Sequence, residues 1–303
     1  MLQRYTHNDL TWIDLESPTH EEVRKIMEEF GIDSLVAEEL LLPTFKPRVE
    51  LREQFIYIIL HFPALRHTHK SIEQEIDFVI GRNFIITTRY DTIDPIHKFS
   101  KVFEVNSVLD KSNIGDHAGF VFYYMLKKMY KSVEHEIGYI QGALEDIESK
   151  IFAGKEKDMV EALSRSGRDL LNLRQAIEPH RDILKTIQTD SLPFFGENFE
   201  PYLRSLTNEY YRVHNHIMRN TEAMRELRET NNSLLSTKQN EVIKTLTLMA
   251  FVTFPLSLIA GIFGMNTDYL PIVGHPNDFW IIIGTMATGM LFMFIFFKRK
   301  GWL

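Results

Sequence analysis

Cysteine is absent from this 303-residue chain. That excludes disulfides, thiolate metal sites and cysteine nucleophiles. Charge is absent from two stretches: no Asp, Glu, Lys or Arg occurs from Thr245 to Thr267 or from Phe279 to Phe297. Lys and Arg are absent from Gly264 to Asp278. The chain also lacks a phosphate-binding glycine loop, a nucleophile elbow and a credible catalytic triad, so no enzymatic chemistry is read from it. The opening Met1-Leu2-Gln3-Arg4-Tyr5 holds no apolar run, and no signal or transit peptide is expected.

The two uncharged stretches are apolar, and each is long enough to cross a hydrocarbon core of roughly 30 Å as a helix, at about 20 residues per span. The first 240 residues are polar and charged by contrast. A soluble domain followed by a two-span membrane tail is therefore expected. Lys238 and Lys244 precede the first span, and Lys298, Arg299 and Lys300 follow the second. The positive-inside rule then puts both termini in the cytoplasm and the intervening loop outside.

Net charge is −7. Residues 240–303 hold four basic and three acidic residues, so the remainder carries −8. An acidic soluble domain argues against nucleic acid as a partner and suits attraction of cations.

The soluble part reads as mixed α/β over residues 1–120. Thr11 to Leu15 is a strand. Thr19 and Glu22 form a capping box that opens a helix running to Phe30, and Gly31 closes it. Glu53 to Phe62 is a strand stopped by Pro63. Ile76–Ile80 and Phe84–Thr88 flank Gly81-Arg82-Asn83 as a hairpin. A helix is expected after Asp94-Pro95.

Over residues 121–190 the period changes. Met129, Val133, Ile137, Ile140, Leu144, Ile147 and Ile151 recur every three or four residues on one helix. After Ala153-Gly154-Lys155, a second helix carries Val160, Leu163, Leu170, Leu173, Ile177 and Leu184 and is expected to pack against the first. A third element over 197–264 carries Tyr202, Leu206, Tyr210, Val213, Ile217, Met224, Leu227 and Leu234, with Asn231 interrupting the stripe. Pro255 is the only proline between residues 202 and 264, and membrane helices tolerate one. This helix is expected to run into the first span, about 242–264, followed by a loop (265–278), a second span (279–297) and a basic tail (298–303). So thin an apolar face needs partners, and copies of itself are the natural ones. The fold class is thus α+β: an N-terminal α/β domain, long helices in a coiled-coil-like stalk, and two C-terminal transmembrane helices.

The first span has a small, partly polar face: Asn240, Ile243, Leu246 or Thr247, Ala250, Phe254, Ser257, Gly261 and Gly264. Close helix packing explains such a face, and so does a pore lining with polar rings between apolar constrictions. His67 and His69, like His214 and His216, lie two residues apart and read as surface histidines rather than a zinc site.

The span ends in Gly264-Met265-Asn266. With this span length, this loop and the basic tail, the triplet resembles the Gly-Met-Asn signature of the CorA family of divalent-cation channels. Asn240-Glu241-Val242, Pro255-Leu256, Ile259 to Ile262, Tyr269, Pro271 and Trp302-Leu303 look similar too. So do Trp12, Leu35 to Leu40, Lys46 to Glu50 and Phe84 to Thr88 in the soluble part.

The resemblance implies a homopentameric funnel in the cell inner membrane whose first spans line the pore. Mg2+ would be the principal cargo, with Co2+ and Ni2+ passing too, and no organic cofactor. Gly264, Met265 and Asn266 become the selectivity filter: amide oxygens of Asn266 suit a hydrated Mg2+, which gives up its waters reluctantly. Asp268 sits at the outer mouth. Asn240, Ile243, Leu246, Ala250, Phe254, Ser257 and Gly261 become pore-lining. Regulatory Mg2+ would bridge neighbouring subunits at Glu38 and Glu39, with Glu209 as partner because Ser205 stands where an aspartate is expected. A related Zn2+ transporter of the ZntB type is the alternative, although those relatives commonly carry Ile at the place of Met265. A membrane-anchored coiled-coil sensor that moves no ion is a third reading.

Overall fold

A computed structural model describes residues 1–7, 9–63, 73–90, 117–266, 272–274 and 276–302. The helix expected after Asp94-Pro95, His67, His69, Asp268, Tyr269 and Pro271 lie outside the described residues. The chain forms two compact units, Met1–Asn231 and Asn232–Leu303.

The first unit holds a six-stranded sheet of β1 (Leu2–His7), β2 (Leu10–Glu16), β3 (Arg48–Leu51), β4 (Ile56–Pro63), β5 (Glu73–Ile80) and β6 (Phe84–Arg89). Its order is β1-β2-β6-β5-β4-β3. The β2–β6 pair is parallel and the others antiparallel. The expected β5–β6 hairpin is present. β4 runs through Pro63 rather than stopping before it. The missing amide is tolerated because β3 pairs only with Ile56 to Ile59, leaving the far end of β4 with one neighbour.

Alternation gives the sheet two apolar faces. One presents Ile13, Leu15, Tyr57, Ile59, Val79 and Ile86 to α1 (His20–Phe30) and α2 (Ser34–Glu39). The Thr19–Glu22 capping box is formed, and Gly31 closes α1 at φ +66°, where other residues are strained. The opposite face carries Trp12, Ile56, Ile58, Leu60, Ile76, Phe78 and Ile85. Against it lie α3 (Gly119–Phe152) and α4 (Glu156–Ile177), with Phe78 meeting Phe122 edge-on. On this face Arg89 donates to buried Asp14 at 3.0 and 3.2 Å, and Trp12 Nε1 donates to Thr87 Oγ1 at 3.0 Å.

The heptad-like stripe of α3 is buried from Met129 to Ile151. The second helix of the sequence reading is two helices, α4 and α5 (His180–Asp190), because Pro179 has no amide to continue the ladder. Leu163, Leu170, Leu173, Ile177 and Leu184 point inward as expected, but Val160 is 51% exposed. It lies about 100° round the helix from the mean inward direction, and Ser166 is buried instead.

The break at 191–199 is a short helix, α6 (Leu192–Phe195), and one 3-10 turn. Phe195 stacks on His117 and Phe199 meets the same ring edge-on, so aromatic packing holds this corner. Then α7 (Glu200–Phe263) begins. Leu206, Tyr210, Val213, Ile217, Met224 and Asn231 are buried, while Tyr202, Leu227 and Leu234 are half-buried.

In the second unit, the end of α7 and the helix α8 (Asp278–Arg299) are long and apolar enough to cross a membrane, and none of the most apolar stretch of either is buried within the chain. Phe297 is the buried exception near the end of α8, stacked on Trp302.

Candidate functional site

Asn240, Ile243, Leu246, Ala250, Phe254, Ser257 and Gly261 all lie on α7. At about 100° per residue they fall within an arc of about 120°, so one face carries them all. Nearly all of this surface is exposed in the single chain, Phe254 to 74%.

The hydroxyls and amides of this stretch divide into two kinds. Thr245, Thr247 and Thr253 each bond back to the carbonyl four residues earlier, at 2.9, 2.8 and 2.9 Å. A threonine satisfied in this way can face lipid. Asn240, Ser257 and Asn266 make no such bond among the described residues. Ser257 lies within the span, and left against hydrocarbon it would carry an unsatisfied hydroxyl, which costs several kcal/mol by rough estimate. It therefore requires water, an ion or a polar partner, whereas Asn240 and Asn266 stand at the two ends of the apolar stretch.

The helix ends with the Gly264 amide donating to Ala260 O at 2.9 Å and the Met265 amide to Ile262 O at 3.3 Å. A Cβ added at Gly264 would stand 3.0 Å from Ala260 O, tighter than a side chain normally tolerates. Glycine thus lets the chain turn tightly before presenting Met265 and Asn266, both exposed.

The acids of the soluble unit do not converge. Glu38 is exposed. Glu39 is paired with Arg48, which also reaches Glu50 at 2.8 Å. Glu209 pairs with Arg212 at 2.5 Å, and Arg212 reaches Glu134 at 3.0 Å. The Ser205 hydroxyl lies 3.3 Å from that of Tyr123. His216 Nδ1 is 4.0 Å from Glu134, and His214 lies against Tyr210. Among the described residues of one chain, no three His, Asp or Glu side chains form a group able to hold a metal.

A sequence model of the CorA-like Mg2+ transporter protein family matches residues 7–299. The chain belongs to that family. It is 25% identical over 298 residues to the cobalt/magnesium transport protein CorA of Thermotoga maritima, covering 97% of this chain and 83% of the relative. It is 24% identical to the protein of the same name from Methanocaldococcus jannaschii, covering 97% and 92%. The complete structure of the CorA magnesium transporter from Methanocaldococcus jannaschii superposes with a TM-score of 0.83 at 23% identity, covering 99% of this chain and 93% of that one. The CorA fold is therefore shared over nearly the whole length, and the family is one of transporters rather than enzymes.

One polar cluster of this CorA-family chain escaped the sequence reading. Glu75 and Asp77 lie on one face of β5 at alternate positions, opposite His61 and Ile59 of β4. Glu75 accepts from the Thr44 amide at 2.7 Å and faces His61 Nε2 at 3.1 Å. Burial, then the neighbouring charge of Glu75, holds the Asp77 carboxyl well above the usual carboxylate range. The signal was present: Glu75-Ile76-Asp77 puts two acids on the face that Val79 continues. It was missed because the strand was started at Ile76.

Proposed function

We propose that this chain is a membrane channel that passes hydrated divalent cations, Mg2+ foremost with Co2+ and Ni2+, down the electrical gradient. Membership of a family of Mg2+ transporters supports the cargo class. The observation that carries the pathway is the division of polar side chains on α7. Thr245, Thr247 and Thr253 are satisfied by their own helix, whereas Ser257, within the span, has no such partner among the described residues, and Asn240 and Asn266 stand at its two ends. A water-filled axis answers that need. A homopentamer would set five copies of this face around one axis, with Asn266 amide oxygens gripping the ion through its water shell and Met265 and Gly264 shaping the entry. Ile243, Leu246, Ala250 and Phe254 supply apolar rings able to close the path by dewetting, and Gly261, two turns beyond Phe254, gives room towards the outer end. Asp268 concentrates cations at the outer mouth.

The spans sit in a cell inner membrane with both termini in the cytoplasm, which the basic residues at 298–300 support. Closure by cytoplasmic Mg2+ is assigned to Glu38, with Glu39 and Glu209 available once Arg48 and Arg212 release them.

The test is Mg2+ uptake into liposomes holding the purified full-length protein and an internal Mg2+-sensitive dye. Wild type should conduct, and Asn266→Ala should not while keeping its oligomeric state. Uptake undiminished in Asn266→Ala would sink the filter. No flux of Mg2+ in wild type, with Zn2+ flux in its place, would make this a zinc transporter.

A further inference from the structure

Asp77 is fully buried, and among the described residues no cation pairs with it. The nearby guanidinium, Arg48, is engaged by Glu39 and Glu50 and lies over the ring of Tyr57. Yet Asp77 shares its face with a second carboxylate, Glu75. Among the described residues, three buried oxygens on this face have no hydrogen-bond partner: Asp77 Oδ1, the Tyr57 hydroxyl, and Oγ1 of Thr88, which is the register partner of Asp77 on β6. Glu75 is served by Thr44 and His61, but an ionised Asp77 at this depth, with the Tyr90 hydroxyl as its donor, would be costly.

Asp77 needs a neutralising partner of its own. Mg2+ does not suit the place, since it needs near-octahedral oxygen ligands and keeps several waters, and Asp77 has no exposed surface. A proton needs only two oxygens.

Tyr90 shows what that proton controls. Its hydroxyl lies 3.2 Å from Asp77 Oδ2 and 3.1 Å from the backbone carbonyl of Glu39, the last residue of α2. A phenol has one hydrogen, so it can serve only one of these acceptors. If Asp77 carries a proton on Oδ2, it donates to Tyr90, and Tyr90 donates to Glu39 O. Both contacts are then hydrogen bonds. If Asp77 is ionised, the stronger acceptor takes the hydrogen, and the Glu39 carbonyl loses the Tyr90 donor and keeps the Leu42 amide at 3.3 Å.

We propose that Asp77 holds a proton, and that this proton decides whether Tyr90 pins the C-terminal turn of α2. The groups facing Asp77 and Glu75 are Tyr57 and His61 from β4, Thr88 from β6, Tyr90 beyond it, Thr44 from the loop after α2, and the Glu39–Arg48 pair from α2 and β3. His61 lies 3.1 Å from Glu75. The Glu39 carboxylate is turned to Arg48, so the link runs through its backbone.

The experiment uses the full-length protein in detergent, with infrared spectroscopy and amide hydrogen exchange run in parallel. Wild type near neutral pH should show the carbonyl stretch of a protonated carboxylic acid, lost in Asp77→Asn. Raising the pH from about 5 to about 9, the range over which buried carboxyls titrate, should remove that band. Exchange of residues 34–44, corrected for its intrinsic pH dependence, should rise several-fold in step. Asp77→Asn, whose amide donates to Tyr90 at every pH, should keep its protection throughout. Tyr90→Phe, which leaves both acids in place, should lose protection several-fold at every pH. Absence of the band in wild type overturns the proposal. So does a band that never titrates, protection that does not follow the band, or full protection in Tyr90→Phe.

Discussion

The imidazole of His180 donates from Nε2 to the backbone carbonyl of His61 at 2.8 Å, fastening the first residue of α5 to strand β4. Its other nitrogen, Nδ1, is left as an acceptor and takes the hydroxyl of Tyr130, 2.9 Å away on α3. One neutral ring therefore joins three elements of the first unit. Burial pushes its pKa down from 6.5 to about 3.

That shift sets an acid limit on stability. Between pH 6.5 and about pH 3, the unfolded chain binds a proton at this histidine and the native chain does not. Stability is therefore fully present above pH 6.5 and falls as the pH drops through this window. His180→Phe keeps the ring but orphans the His61 carbonyl and the Tyr130 hydroxyl, at a cost of ~2–4 kcal/mol near neutral pH. The difference from wild type should shrink in acid. Denaturant unfolding at several pH values checks both statements, and a difference independent of pH would refute the assignment.

Arg89 and Asp14 form a buried pair on the opposite face of the sheet from Asp77. Arg89→Met strands a buried carboxylate and should cost ~3–5 kcal/mol. Removing both charges, with Asp14→Leu added, should restore much of that loss. Thermal unfolding of the single and double variants measures it.

In the candidate pore, Ser257→Ala removes a hydroxyl that has no partner in its own helix. It should lower Mg2+ flux several-fold. Thr253→Ala removes a hydroxyl already bonded to Met249 O and should leave flux near wild type. Equal effects of the two in the liposome assay would mean that the division between free and self-satisfied side chains has no bearing on conduction.

Gly264→Ala puts a methyl group 3.0 Å from Ala260 O. The turn must shift to accept it, moving Met265 and Asn266. Uptake should fall severely, while circular dichroism and oligomer size stay as in wild type. Normal uptake would show that this turn need not be tight.

Much of this was legible in the sequence because it rests on period. The α3 stripe from Met129 to Ile151 and the Thr19–Glu22 box follow from local spacing, and so do the two apolar spans. The errors have a different source. Val160 is apolar and well spaced in sequence, but its angle around α4 misses the neighbouring helix. Pro63 reads as a strand stop, but only a partner list reveals that β4 has a single neighbour there. The Asp77 cluster is assembled from β4, β5, β6 and α2, so no window along the chain contains it. The regulatory acids were placed by resemblance alone, and the pairings of Glu39 with Arg48 and of Glu209 with Arg212 were not visible in the sequence.

The parallel pairing of β2 with β6 has a consequence for synthesis. Thr87 bonds Asp14 across 73 residues of chain. As the chain leaves the ribosome, β1 and β2 can close on each other early, but the inner edge of β2 has no partner until residues 84–89 emerge. An open strand edge invites foreign strands. At roughly 5–20 residues per second, that edge stays bare for about 4–15 s on every nascent chain. A pause in translation after β2 has emerged and before residues 84–89 have emerged should therefore raise aggregation of this protein, and a pause after they have emerged should not.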